Sequence, residues 1–434
     1  AMGGVCATDD GDLMPLRGQG APQAPRRPRM PHPADAERAP TVKERALLGP
    51  QDAFDAALGS DLRRLQWALQ ANAGPNDASA SAGVRALHLA AAHGHVDVAR
   101  VLVASRADPW ASVEALGVSA LALASLGGHV AMVRLLADIG PRSALNGPEG
   151  DGAAPLLHAA RRGLAEVCEV LLGAGASATC LLRQHACPES VAAYQRRAAG
   201  LGDDGSAWLE AAVGLTDADP ALRPDGDMRW VCVTGATALH FAAARGNLRI
   251  VESLIRSKAW LSAADALQRT PLMLAAEVGH AQVVRLLLEH EVTVTTDVLG
   301  RHAGLIAVRQ GHQAILRAFL ETGALRPDYV VRSGAPTMLH VAAYIGRTTC
   351  VSLLCEAAAS LDVCLLPGGV RPLMLAAEKG HTEICRLLIT RGSSVDAPDT
   401  AGRTPWLYAA MVGHTDTCHM LMTRGAREHA PEKK

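Results

Sequence analysis

The sequence predicts an all-α fold of short helical pairs stacked in a row, and three observations predict it. First, a pattern reading L-x-x-A-A-x-x-G-H, or a close relative, recurs along the chain, as in Leu87–His95, Leu272–His280 and Leu373–His381. Second, the glycine of each copy keeps a register. It falls at Gly94, Gly128, Gly163, Gly246, Gly279, Gly311, Gly346, Gly380 and Gly413, with successive spacings of 34, 35, 83, 33, 32, 35, 34 and 33. A fixed period of this size marks a repeat array rather than the globular domains that length alone suggests. Third, 49% of the 434 residues are apolar but only 3% are aromatic. Ala, Leu and Val must therefore fill the interior, and they suit narrow gaps between helices.

The elements follow in order. Residues 1–48 are rich in Pro, Ala, Arg and Gly with no helical stripe, and are expected to form a disordered arm. Arg26, Arg27 and Arg29 within it are either a docking element or solvated charge. Residues 49–179 hold a degenerate first unit and three full copies. The degenerate unit places Ser60 34 residues before Gly94 and lacks the usual turn, as suits a terminal unit that faces water. The spacing of 83 equals one repeat plus an insertion of about 50 residues, assigned to 180–232. Ser190–Ala199 and Ser206–Leu215 read as short helices there, and Trp208 and Trp230 as anchors that either tether the insertion or touch a partner. Six copies fill 233–427, and 428–434 is a charged tail.

Within one copy each residue has a physical reason. Pro155, Pro271, Pro372 and Pro405 stand at a helix's first turn, where a missing N–H costs nothing. Thr237, Thr270, Thr337 and Thr404 are placed to cap that helix. Paired alanines such as Ala275 and Ala276 let neighbouring helices approach, and the repeat glycine ends the helix in a left-handed conformation. The second helix, as in Val283–Leu288, carries one apolar stripe. The sixth copy departs: Gly304 stands where Leu is expected and Val308 replaces Ala. A lost core leucine and a helix-interior Gly, the latter worth about 1 kcal/mol, mark Thr295, Thr296 and Gly304 as an expected soft point.

Several functions are excluded or left without support. A net charge of -1 and scarce aromatics argue against a nucleic-acid binder. No apolar run reaches the roughly 18 residues of a membrane span. None of the ten cysteines forms a C-x-x-C pair and the N-terminus shows no apolar secretory core, so a soluble, reduced, cytoplasmic chain is expected, with nuclear or cytoskeletal association left open. Phosphate-binding, zinc-protease, serine-hydrolase and kinase signatures are missing, so no enzyme and no cofactor are expected. Cys180, His185, Cys187 and Cys232 have irregular spacing for zinc and read as loose thiols. Cys350 and Cys355 read as small core residues. His95, His129, His280, His312, His381 and His414 all follow a repeat glycine, where an imidazole can satisfy loop backbone.

These residues together resemble the ankyrin repeat, over roughly Gln51 to Arg427 apart from the insertion. Thr270-Pro271 and Thr404-Pro405 match that family's T-P start, and His88, His240 and His340 its following L-H. Copies with Met273 or Met374 in place of the histidine resemble the expanded ankyrin sets of some single-celled eukaryotes. The resemblance implies a β-turn plus two antiparallel helices per unit, stacked into a solenoid with a concave face, and a protein–protein interaction scaffold or adaptor. The alternative is a regulatory or targeting subunit whose catalytic part lies on another chain. The chain is expected to be monomeric when alone.

The resemblance also places the partner-binding positions on turn tips and on the exposed pair preceding each repeat glycine. Those pairs are Arg161/Arg162, Ala244/Arg245, Glu277/Val278, Arg309/Gln310, Tyr344/Ile345, Glu378/Lys379 and Met411/Val412. The matching tip residues are Arg269, Arg301 and Arg403. The arginines are either ordinary solvated surface or a track for an acidic or phosphorylated segment, because guanidinium forks pair with carboxylate and phosphate. Tyr344, Ile345, Met411 and Val412 make the C-terminal end of that face apolar.

Overall fold

The computed structural model describes residues 49–427, except 72, 79–83, 114–117, 141–144, 147–153, 183–233 and 332–334. The described residues form ten helical pairs. They are α1 (Pro50–Gly59) with α2 (Leu62–Gln70), α3 (Ala86–His93) with α4 (Val96–Ala104), α5 (Ala120–Gly127) with α6 (Val130–Ile139), and α7 (Pro155–Arg162) with α8 (Ala165–Ala174). After the insertion come α9 (Ala238–Arg245) with α10 (Leu248–Arg256), α11 (Pro271–Val278) with α12 (Ala281–Glu289), and α13 (Ala303–Gln310) with α14 (Gln313–Glu321). Last are α15 (Met338–Ile345) with α16 (Thr348–Glu356), α17 (Pro372–Glu378) with α18 (Thr382–Thr390), and α19 (Pro405–Val412) with α20 (Thr415–Thr423). One two-stranded antiparallel hairpin, Ser112–Val113 with Val118–Ser119, lies between the second and third pairs. This is the all-α solenoid expected.

The local chemistry works as read. Thr270, Thr337 and Thr404 accept hydrogen bonds from the backbone N–H three residues on, at 3.3–3.5 Å. The four prolines open their helices. Gly246 has φ +71°, and a β-carbon there would lie 2.4 Å from Nδ1 of His280, so both backbone shape and a neighbouring side chain demand glycine. First helices pack on first helices and second on second along the array. The paired alanines at the contact, such as Ala275 and Ala276, are completely buried.

Each repeat is also fastened to the one before it at a fixed atom. The carbonyl two residues before the repeat glycine has lost its helical partner, and the next repeat supplies a donor. His95 Nε2 meets Leu58 O (3.1 Å), His129 meets Ala92 O (2.9 Å), and His280 meets Ala244 O (3.0 Å). His312 meets Glu277 O (3.2 Å), His381 meets Tyr344 O (3.2 Å) and His414 meets Glu378 O (3.0 Å). Where the histidine is missing, an arginine takes over. Arg162 reaches Leu126 O at 3.3 Å, and Arg347 reaches Arg309 O at 3.1 Å. The six histidines are structural, as expected, but they join two repeats rather than tidying one loop.

The same link crosses the insertion. Arg245 donates to Arg161 O and Asn247 Nδ2 to Gly163 O at 3.0 Å, while α9 packs on α7 and α10 on α8. The chain leaves at Leu182 and returns at Thr234. Its two ends are tied by Leu182 N to Ala236 O (2.8 Å) and Gly235 N to Leu182 O (2.7 Å). The insertion therefore leaves the stack unbroken. Its expected helices, Trp208, Trp230, His185, Cys187 and Cys232 lie outside the described residues, as do the arm 1–48 and the tail 428–434. Cys350 is buried and Cys355 half-buried, and burial pushes the Cys168 and Cys385 thiols up to about 12.

The sixth copy corrects one expectation. A β-carbon on Gly304 would meet Leu325 Cδ2 at 2.5 Å and Met338 Sδ at 2.9 Å. The place of the missing leucine is thus already filled by side chains from the following loop and the following repeat. Val308 is completely buried, and Thr296 pairs with His302 across an antiparallel bridge. Gly304→Leu, which restores the repeat consensus, is expected to destabilise by about 1–3 kcal/mol through overpacking. Denaturant unfolding measures this, and a stabilised variant would show the site to be a true gap.

Buried histidines set a pH response. His302 caps α13, and His340 binds the Thr337 N–H at 3.2 Å. Both are fully buried, and burial pushes them down to about 3 and about 4. In the unfolded chain the same groups take up a proton near 6.5. Below that pH the unfolded state binds more protons, so stability falls with pH until about 3–4. The melting temperature should drop between about pH 7 and pH 5, and His302→Thr, restoring the cap used elsewhere, should make the drop shallower. An unchanged slope would remove His302 from the account.

Candidate interaction face

The residues nominated as partner-binding separate into distinct environments. At the turn tips, Arg269, Arg301 and Arg403 each close a clamp with an aspartate four residues earlier. Asp265, Asp297 and Asp399 accept from the backbone N–H groups two and four residues on with one carboxylate oxygen, at 2.7–3.0 Å. The other oxygen accepts from the arginine Nε at 2.8, 2.8 and 2.7 Å. The side chains of Asp265 and Asp297 are wholly buried and those of Arg269 and Arg301 only 5% and 6% exposed. These two arginines are therefore not a solvent-facing track: their guanidinium groups are used to hold their own turns. The signal was present in the sequence as D-x-x-x-R, which neutralises the charge locally.

Arg403 is the exception among the three. Its side chain is 43% exposed, and it lies over the Tyr408 ring at 4.9 Å. Burial opposes the Asp399 charge, but hydrogen bonds from Arg403 and from the Tyr408 hydroxyl (2.9 Å) hold its carboxyl below the usual range.

Along the first helices, Arg309 and Glu277 are also buried, at 5% and 8% exposure. Arg309 lies beneath the Arg347 guanidinium, and the Glu277 carbonyl beneath His312. Neither is an open contact residue, which corrects their placement on an accessible middle section. Arg162 and Arg245 remain exposed, with Arg161 half-buried beside them. Burial first, and then the like charges of Arg161 and Arg162, make the Arg245 guanidinium easier to deprotonate than a free one. The two latter effects are direct evidence that the three cations share one locality.

Further along, Glu378 and Lys379 pair at 3.0 Å, and the Lys379 ammonium stands 4.4 Å over the Tyr344 ring. Tyr344 and Ile345 are half-buried, while Met411 and Val412 are 69% and 57% exposed. The face thus has a cationic part at the third and fourth copies and an apolar part at the last ones. Among the described residues no group of three His, Cys, Asp or Glu is placed to hold a metal ion, and no helix is long and apolar enough to cross a membrane.

The tip clamps make a graded prediction. Arg301→Ala would leave a buried carboxylate without its main cation and should destabilise by about 3–5 kcal/mol. Arg403→Ala, in a half-exposed pair, should cost about 1 kcal/mol or less. Equal losses in urea unfolding would show that burial does not govern these pairs.

Comparison with known proteins agrees with this architecture. The model of the family described as ankyrin repeats (3 copies) matches residues 87–181, 215–298, 239–332 and 339–431. The ankyrin repeat domain-containing protein SAT10 of Stachybotrys chartarum is 30% identical over 263 residues, covering 59% of this chain and 12% of that protein. The ankyrin repeat and KH domain-containing protein mask-1 of Caenorhabditis elegans is 28% identical over 239 residues, covering 55% and 8%. The probable E3 ubiquitin-protein ligase XBOS33 of Oryza sativa subsp. japonica is 34% identical over 168 residues, covering 37% and 32%. The chain therefore spans no more than a third of the length of these relatives. With the family model matching most of its length and ten helical pairs stacked in register, this chain belongs to the ankyrin-repeat family.

Proposed function

We propose that this chain is a non-enzymatic scaffold or adaptor that holds a protein partner along the first-helix face, with an acidic or phosphorylated segment of that partner seated at Arg161, Arg162 and Arg245. The observation that carries this reading is the contrast among the arginines. Those at the tips are neutralised by their own aspartates, whereas Arg162 and Arg245 are exposed, and no carboxylate among the described residues lies in ion-pair distance of either. Clustered guanidinium groups favour a multiply charged, planar-forked anion over a single solvated ion. Lys379, Tyr344, Met411 and Val412 offer the mixed aromatic and apolar contacts typical of a protein interface. The buried free thiols of Cys168, Cys350 and Cys385 support a reducing, cytoplasmic setting.

A second reading, a regulatory or targeting arm of an enzyme complex, draws on the names of some relatives. XBOS33 is named as a ubiquitin ligase, and the glycerophosphocholine phosphodiesterase gde1 of Schizosaccharomyces pombe is 29% identical over 142 residues, 12% of that protein. In each the matched stretch is a minor share of the whole.

The test is affinity capture from cells with the wild-type chain and with Arg162→Glu plus Arg245→Glu. Both positions are exposed, so circular dichroism should be unchanged. The variant should lose the captured partner, and wild-type capture should weaken as salt rises. Equal capture by both chains would remove the cationic end from the interface.

A further inference from the structure

We propose that the outer face of α19 and α20 is a docking surface for a second copy of this chain, joined tail to tail. The reasoning uses the repeats as internal controls. Three residues before the repeat glycine, every one of the eight copies from Ala91 to Ala377 has a completely buried residue, because the next repeat's first helix lies on it. In the ninth copy the same position, Ala410, is exposed. Six residues before the glycine the eight are at most 5% exposed, whereas Leu407 is half-buried. Seven before it stands Trp406, half-buried where the other copies are buried, with its Nε1 enclosed and lacking a hydrogen-bond partner. Met411 and Met422 flank this surface at 69% and 40% exposure.

The face is thus the surface by which each repeat receives its successor, in an uncovered state. It continues the interface that holds the whole array together. Terminal repeats ordinarily carry a polar outer face, and α19 carries no charged residue from Pro405 to Val412. The seven residues 428–434 contain no apolar side chain larger than those of Ala430 and Pro431, so they do not provide the missing cover.

The other end of the molecule decides which contact forms. There α1 and α2 present Gln51 and Asp55 to solvent, and Arg64 pairs with Asp52 at 2.8 Å and Asp55 at 3.1 Å. Stacking that end on α19 would bury these charges against apolar side chains, an arrangement with no compensating partner. Head-to-tail growth is therefore disfavoured. A two-fold contact instead sets apolar against apolar, lets the helices approach over Ala410, and closes after two subunits. This replaces the sequence expectation of a chain monomeric when alone, and it is independent of the partner proposed for the first-helix face.

Sedimentation velocity on the 434-residue chain from about 1 to 100 μM tests the idea. The weight-average mass should rise from the monomer value of 45.2 kDa toward twice that figure. Ala410→Arg should raise the dissociation constant roughly 30-fold or more, the loss typical of a central interface residue. Met411→Glu should act in the same direction, and both changes are exposed enough to leave the melting curve intact. Gln51→Arg, at the opposite end, should leave association unchanged. A monomer at every concentration, a dimer indifferent to Ala410→Arg and Met411→Glu, or one weakened equally by Gln51→Arg would each overturn the proposal.

Discussion

A helix of eight or nine residues ends almost as soon as it begins, and its last carbonyls need a donor. In this protein that need is met from outside the repeat, by an imidazole, guanidinium or amide of the next one, at every junction in the described residues. Each such bond contributes only about 0.5–1.5 kcal/mol. Its larger effect is on register: the donor fixes how far one pair slides along its neighbour, so the alanine pairs meet and the leucines bury. A pair alone has neither a core nor satisfied helix ends, which makes stability a property of neighbours. The junction across the insertion shows how strict this is. Two repeats separated by 83 residues in sequence still exchange the same contact.

The second constraint is electrostatic. A turn tip that projects beyond the helices has few apolar contacts, so its shape must be held by polar groups. The Asp265–Arg269 and Asp297–Arg301 clamps do this by using one carboxylate for two backbone N–H groups and one guanidinium. The same arrangement removes the cation from the surface. Arginine content at the tips is consequently a poor guide to surface potential, and the cationic character of the molecule collects where no such aspartate precedes the arginine, at Arg162 and Arg245.

This explains what was legible in the sequence and what was not. Features determined within a few residues were read correctly, such as Thr270 before Pro271 or the left-handed Gly246. The Arg269 and Arg301 assignments went astray because position was weighed without the aspartate four residues upstream, although that spacing was visible. Gly304 was a different case. Whether a missing leucine leaves a gap depends on Leu325 and Met338, which lie one loop and one repeat away, and no local pattern carries that information. The inter-repeat role of the histidines was likewise invisible in a single copy. It emerges only when Arg347 and Asn247 are seen performing the same task at copies that lack one.

The two ends of the array respond differently to the rule that builds its middle. At the N-terminal end the repeat pattern degenerates, and polar residues with paired charges take the place of apolar contacts, so α1 and α2 terminate the stack. At the C-terminal end the pattern is intact: Thr404 and Pro405 open the helix, Gly413 closes it, and His414 docks backward onto Glu378. An intact pattern carries the intact stacking surface with it, because Ala410 and Leu407 belong to the motif as much as Gly413 does. The residues that let a repeat be held by its predecessor are thus inseparable from those that invite a successor. A unit that keeps the full motif can end the array only if something outside it covers that surface.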